Sequence, residues 1–209
     1  LDTRMAQLRR VLPVRIGVNY AIKANPHVDV LAHMEPLVDG FDIASSGALR
    51  LALDAGIDAA RISFAGPGKR DDELEAAIGA GVTLNCESEG EAARALTIAD
   101  PLGTHARIAV RVNPDFELKG SGMKMGGGAK PFGVDAERVP DLVRHIIAKG
   151  ARWRGLHIFT GSQTLSSDAI IEAQRNVLNL AKELAADIGL PLPKLNMGGG
   201  FGIPYFPKD

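Results

Sequence analysis

Two stretches of the 209-residue sequence carry residue types able to act on a bound small molecule, and they lie at opposite ends of it. Near the start, Tyr20-Ala21-Ile22-Lys23-Ala24-Asn25-Pro26 closes an apolar run on a lysine flanked by small residues. Alternation along a strand puts Ala21 and Lys23 on one side and Tyr20 and Ile22 on the other. A lysine held inside a fold loses its charge easily and becomes a nucleophile toward a carbonyl carbon. A plain surface lysine at a strand end is the other reading. Near the finish, Met197-Gly198-Gly199-Gly200-Phe201-Gly202-Ile203-Pro204 follows a short apolar run. Consecutive glycines let backbone N–H groups converge on an anion. The spacing fails the Gly-x-Gly-x-x-Gly dinucleotide pattern, because Ile203 or Tyr205 falls where the last glycine belongs, and no Gly-Lys-Ser/Thr follows. A single phosphate remains, against a simple tight turn. Gly161-Ser162-Gln163 offers a second anion cup, with the Ser162 hydroxyl as donor.

Other ionisable residues are less directed. Arg111, before Asn113-Pro114, could clamp a substrate carboxylate or pair with a neighbouring acid. His157 lies in an apolar run and reads as a structural histidine or a member of the site. Asp42 and Glu87 each end a strand pattern, where they could serve a site or anchor a loop. Cys86 reads as a small core residue. His27, His33, His105, His145 and His157 show no His-x-x-x-His or cysteine-pair spacing, so no metal site is expected. A carbonyl-reactive lysine on the first strand and a phosphate cup on the last ones suggest one cofactor held at both ends, pyridoxal 5'-phosphate, whose ring acts as an electron sink.

The elements that must position these residues alternate regularly. Strand patterns fall at 16–22, 41–44, 61–65, 83–87, 108–112, 156–160 and 195–197, each bounded by Gly, Pro, Asn or Asp. They are mostly continuous in apolar character, which favours a parallel sheet covered on both faces. Helix patterns lie between them: 28–37 after Pro26, 48–55 ended by Gly56, 73–79 after an Asp71 cap, 89–99 after a Ser88 cap, 139–147 closed by Gly150, and 169–188. This order implies right-handed crossovers and fits either an open doubly wound sheet or a (β/α)8 barrel. The expectation is an α/β TIM barrel showing about seven β-α units, one domain over 1–209, incomplete at both ends. The glycine-rich segment 114–132, with Lys119, Lys124 and Lys130, would then overlie the active-site face. Composition narrows the partners. The 24 Lys and Arg against 25 Asp and Glu give a net charge of −1, offering no electrostatic reason for a nucleic-acid partner. No apolar stretch approaches the roughly 20 residues of a membrane helix. The single cysteine fits a reducing cytoplasm.

Six segments occur in an order that resembles one family: 20–26, Phe41-Asp42-Ile43-Ala44-Ser45, Arg111-Val112-Asn113-Pro114, Lys130-Pro131-Phe132-Gly133, 155–163, and Gly198-Gly199-Gly200-Phe201-Gly202. Together they resemble the fold-type III pyridoxal-phosphate decarboxylases, the diaminopimelate/ornithine/arginine group, from about residue 10 to 204. The resemblance implies an alanine-racemase-type barrel with Lys23 as the internal aldimine lysine. It implies Ser162, Gly198, Gly199, Gly200 and Gly202 as phosphate ligands and Asp42 close to lysine and cofactor. By the same resemblance His157 and Arg111 line the mouth, Arg111 on the substrate side. The implied reaction is transaldimination by an amino acid, loss of CO2 and protonation of the carbanion, in a cytoplasmic homodimer. Gly-Ser-Gln and Gly-Gly-Gly-Phe-Gly-Ile-Pro-Tyr stand closer to the diaminopimelate side.

Two substitutions depart from the family pattern. Phe159 stands where a stacking histidine is usual, and Ala48 where Asp-x-x-Ser-x-Gly is normally followed by Glu. Both resemble a bacterial branch near exosortase and polysaccharide-export systems, or decarboxylases of carrier-protein-linked amino acids. The family's eighth strand and C-terminal β-domain, which supply an acid to the pyridine nitrogen and a cysteine motif and tyrosine across the dimer, have no counterpart after Gly202. A piece of a longer chain is expected, with an inactive relative as the other reading. A racemase on the same barrel would continue Lys-Ala-Asn with Ala-Tyr-Gly-His, whereas Pro26-His27-Val28-Asp29 follows here. A non-catalytic pyridoxal-phosphate-binding protein fits the glycine segments less well.

Overall fold

The computed structural model describes residues 1–116, 123–124 and 131–206. Helix α1 (Asp2–Val11) buries no residue and is tied down by Arg9 Nη2 on Asp39 Oδ2 at 2.7 Å. Strands β1 (Asn19–Ala21), β2 (Gly40–Ile43), β3 (Ile62–Phe64), β4 (Thr83–Cys86) and β5 (Arg107–Asn113) then alternate with α2 (Val28–Met34), α3 (Ser46–Asp54), α4 (Asp71–Ala80) and α5 (Glu89–Ala99). Two short strands, β6 (Met123–Lys124) and β7 (Val134–Asp135), precede α6 (Val139–Ala148). Strand β8 (Arg152–Ile158), the short β9 (Gly161–Ser162), α7 (Ser167–Ile188) and β10 (Leu195–Asn196) complete the order. The main sheet runs β1-β2-β3-β4-β5-β8-β10, every pair parallel, with β7 set beside β5. It is the curled sheet of a partial barrel, helices outside, as the β-α order predicts.

Local chemistry explains the boundaries. Ser45, Ser88 and Ser166 each accept the backbone N–H of the third residue on, which caps α3, α5 and α7. Gly189 ends α7 in the left-handed conformation. Asp71 is the first residue of α4 rather than its cap. Arg70 takes the cap position, and Glu73 accepts the Arg70 N–H at 3.2 Å. Arg61 falls in a 3-10 turn (Ala59–Arg61), not in the third strand, because its guanidinium reaches back to Glu35 and to the Val38 carbonyl.

The sheet corrects the expectation of strands apolar on both faces. Phe41, Ile43, Ile62, Phe64, Leu84, Cys86, Ile108, Val110, Leu156 and Ile158 form one buried core with the helices. The residues between them share the opposite face: Asp42 is in register with Ser63, Ser63 with Thr83, Asn85 with Ala109, and Arg111 with His157. That inner face is polar because it bears an internal charge network. Cys86 does sit in the core, and burial pushes its thiol up. Gly155 is indispensable to closure between β8 and β10. Its φ is +112°, and a Cβ there would lie 1.9 Å from the Lys194 carbonyl oxygen.

Candidate functional site

Because the main strands are parallel, their C-terminal ends open on one side, and the candidate residues collect there. Lys23 is one of them, but not as a buried strand residue. The first strand stops at Ala21, and Ile22–Ala24 form a 3-10 turn in which Ile22 is buried and Lys23 is exposed. The turn rotates Ile22 into the core and presents the ammonium at the rim. Asp42, half-buried on β2, accepts hydrogen bonds at Oδ1 from Ser63 Oγ and from Asn19 Nδ2, the latter at 3.3 Å.

The two glycine-bearing loops come together. Thr164 N–H donates to the Gly200 carbonyl at 3.1 Å, Gly202 N–H donates to the Thr164 carbonyl at 2.8 Å, and Thr164 and Phe201 form a parallel bridge. Thr164 is buried, its Oγ1 has no partner, and Gln163 beside it holds a φ of +61°. Gly198 has φ +67°, and a Cβ there would lie 2.4 Å from Phe159 Cδ2, so the aromatic ring rests on the glycine turn. Gly198 N–H is oriented by Asn196 Oδ1 at 2.9 Å, whereas nothing lies within 4 Å of a Cβ built at Gly199. A Cβ at Gly202 would meet the Gln163 and Thr164 backbone at 3.0 Å. Ser162, half-buried, sits on β9, which pairs antiparallel with Met123 and Lys124. Most of the 114–132 segment, with Lys119 and Lys130, lies outside the described residues.

Inside the rim is a chain of buried charges that sequence reasoning found only in part. Arg111 Nη1 donates to both carboxylate oxygens of Glu87, at 2.9 and 3.0 Å, and its guanidinium lies 4.9 Å from the Phe132 ring centre. Of the two readings of Arg111, pairing with a neighbouring acid is the one the geometry shows. Glu87 also accepts the Gly66 N–H. Lys69 donates to Glu91 Oε1 at 2.7 Å and to the carbonyls of Gly66 (2.7 Å) and Asn85 (3.0 Å), and Glu91 Oε2 accepts the Glu87 N–H at 3.2 Å. Burial pushes the Glu91 carboxyl up, against the pull of Lys69. His157 is 8% exposed and its Nδ1 has no partner. Burial, then Arg111 and Lys69, lowers its pKa to about 3, so it is a neutral imidazole at physiological pH. Lys69 and Glu91 were not singled out from the sequence. Ser88-x-x-Glu91 is a capping-box spacing, and that was the available signal, although the Glu91 side chain bonds Glu87 N–H rather than that of Ser88.

These features suit a phosphorylated, carbonyl-bearing cofactor: a glycine cradle with an open face at Gly199, a hydroxyl at Ser162, an apolar ring at Phe159, and a rim lysine. The domain that carries them is a β/α barrel of parallel strands with helices outside. The chain belongs to the pyridoxal-dependent decarboxylases: the family model for their pyridoxal binding domain matches residues 1–209. The cofactor of this domain is pyridoxal 5'-phosphate. The L-glutamyl-(BtrI acyl-carrier protein) decarboxylase of Niallia circulans is 34% identical over 213 residues, covering 100% of this chain and 49% of that protein. Diaminopimelate decarboxylase of Neisseria meningitidis serogroup A is 37% identical over 199 residues, covering 92% and 48%. The structure of diaminopimelate decarboxylase from Helicobacter pylori complexed with L-lysine superposes with a TM-score of 0.87 at 33% identity, covering 100% of this chain and 54% of that one. The chain thus spans about half the length of these relatives. No described helix is long and apolar enough to cross a membrane.

Proposed function

We propose that the protein decarboxylates an amino acid with pyridoxal phosphate, and that this chain supplies the cofactor cradle. The observation that carries the reading is the lacing of the two glycine loops, through Thr164 with Gly200 and Gly202, at the end of the sheet where Lys23 emerges. Pyridoxal phosphate, when bound, provides an electron sink for the pair left behind as the α-carboxylate departs as CO2. Lys23 is the amine that holds the cofactor covalently. The N–H groups of Gly199 and Gly200, with the Ser162 hydroxyl, hold its phosphate, while Gly198 and Gly202, whose N–H groups donate to Asn196 Oδ1 and the Thr164 carbonyl, shape the cradle without side-chain volume. Phe159 would offer a flat apolar surface to the cofactor ring, and His157 stays uncharged. Asp42, fixed by Ser63 and Asn19, completes the wall near Lys23. Arg111 acts through its fixed positive charge at the mouth. Its link to Glu87 leaves the substrate carboxylate to other groups.

A small amino acid is the proposed substrate, in a cytoplasmic homodimer. The Niallia relative, which aligns with the whole chain, favours a second reading in which that amino acid is carrier-linked. The test is CO2 release by the pyridoxal-phosphate-loaded protein from diaminopimelate, lysine, ornithine, arginine and a carrier-linked glutamyl thioester. Release from one of these supports the proposal, and release from none refutes it.

A further inference from the structure

We propose that Lys69 and Glu91 are positioning residues for the cofactor site, a role that rests on the decarboxylase reading above. Both are almost fully buried, 4% and 2% exposed. They belong to different units, Lys69 to the loop after β3 and Glu91 to the first turn of α5. Lys69 spends all three ammonium protons inside the protein, on Gly66 O, Asn85 O and Glu91 Oε1. Glu91 uses its other oxygen on the Glu87 N–H, and Gly66 N–H returns to the Glu87 carboxylate. The result is a closed ring that stitches the loops after β3 and β4 and leaves the Glu87 carboxylate one direction, onto Arg111. Arg111 is in register with His157 on the next strand. A change at Lys69 or Glu91 therefore reaches Arg111 and His157 through Glu87.

The competing explanation is that the pair only satisfies its own burial. The two are separable because a buried ion pair can be exchanged for apolar residues of similar size with little loss of stability, whereas removing one partner strands a charge. Lys69→Met/Glu91→Leu keeps volume and removes both charges, and Glu91→Gln keeps shape and removes one. The experiment measures the melting temperature of each cofactor-free protein, pyridoxal phosphate affinity by absorbance titration, and the pH dependence of the bound cofactor's visible band. Positioning predicts that the double variant melts within about 4 °C of wild type, a small shift for a chain of this size. It also predicts that this variant binds pyridoxal phosphate about tenfold more weakly, the scale typical of lost outer-layer support, with an altered pH profile. Wild-type affinity and profile in the double variant overturn the proposal. If that variant does not fold, Glu91→Gln decides on the same comparison, with wild-type affinity and profile again overturning it. A wild-type protein that takes up no pyridoxal phosphate overturns the decarboxylase reading itself, and this proposal with it.

Discussion

His157→Gln removes one titrating group from the interior while keeping a polar side chain of similar reach, and its effect on folding can be worked out. The imidazole has a pKa of about 3 in the folded protein against 6.5 in an unfolded chain, first because of burial and then because of Arg111 and Lys69. Below pH 6.5 the unfolded chain takes up a proton that the folded one refuses, so this stability is present above 6.5 and lost as pH falls toward 3. The loss is about 2 kcal/mol between pH 7.5 and 5, and about 5 kcal/mol once the folded-state value is reached. Glu91 works in the opposite sense, because its raised carboxyl favours the folded state at low pH. It is present in both proteins and cancels in the difference. Urea unfolding of cofactor-free wild type and His157→Gln at pH 7.5 and 5 should show wild type losing about 2 kcal/mol more than the variant. Parallel losses would mean that the unfolded and folded states protonate His157 alike, refuting the picture of a dry, uncharged imidazole beside Arg111.

Three glycine substitutions probe the cradle and the closure of the sheet. Gly198→Ala adds a methyl 2.4 Å from Phe159 at φ +67°, so it should lower both the melting temperature and pyridoxal phosphate affinity. Gly199→Ala meets no protein atom, so it should melt like wild type yet bind the cofactor about tenfold more weakly because its methyl enters the cradle. Gly155→Ala drives a methyl into the Lys194 carbonyl at 1.9 Å and should cost about 3 kcal/mol or more in thermal unfolding, through lost pairing of β8 with β10.

Much of this architecture was readable along the chain because it is local. The serine cap at Ser88 and the alternation of apolar runs with amphipathic segments are short-range signals. The two glycine loops stand out along the chain, and their mutual bonding matches the neighbouring places that β-α order gives them. Where the reading failed, the cause was long-range. Lys23 was placed by strand alternation, but the strand ends at Ala21 and the 3-10 turn resets the direction of every side chain after it. The inner face reads as apolar along short strands because each contributes only one or two polar residues. The polar face appears only when parallel register sets Asp42 beside Ser63 and Arg111 beside His157, with Glu87 from the following loop bonded to Arg111. Lys69 and Glu91 are 22 positions apart, and only the fold makes them partners.

The most direct test of the account is to treat the protein with pyridoxal phosphate and borohydride, digest it, and locate the covalently fixed cofactor by mass spectrometry. The account predicts the label on Lys23, and its loss in Lys23→Ala. A label on another lysine, or equal labelling of the variant, would contradict it.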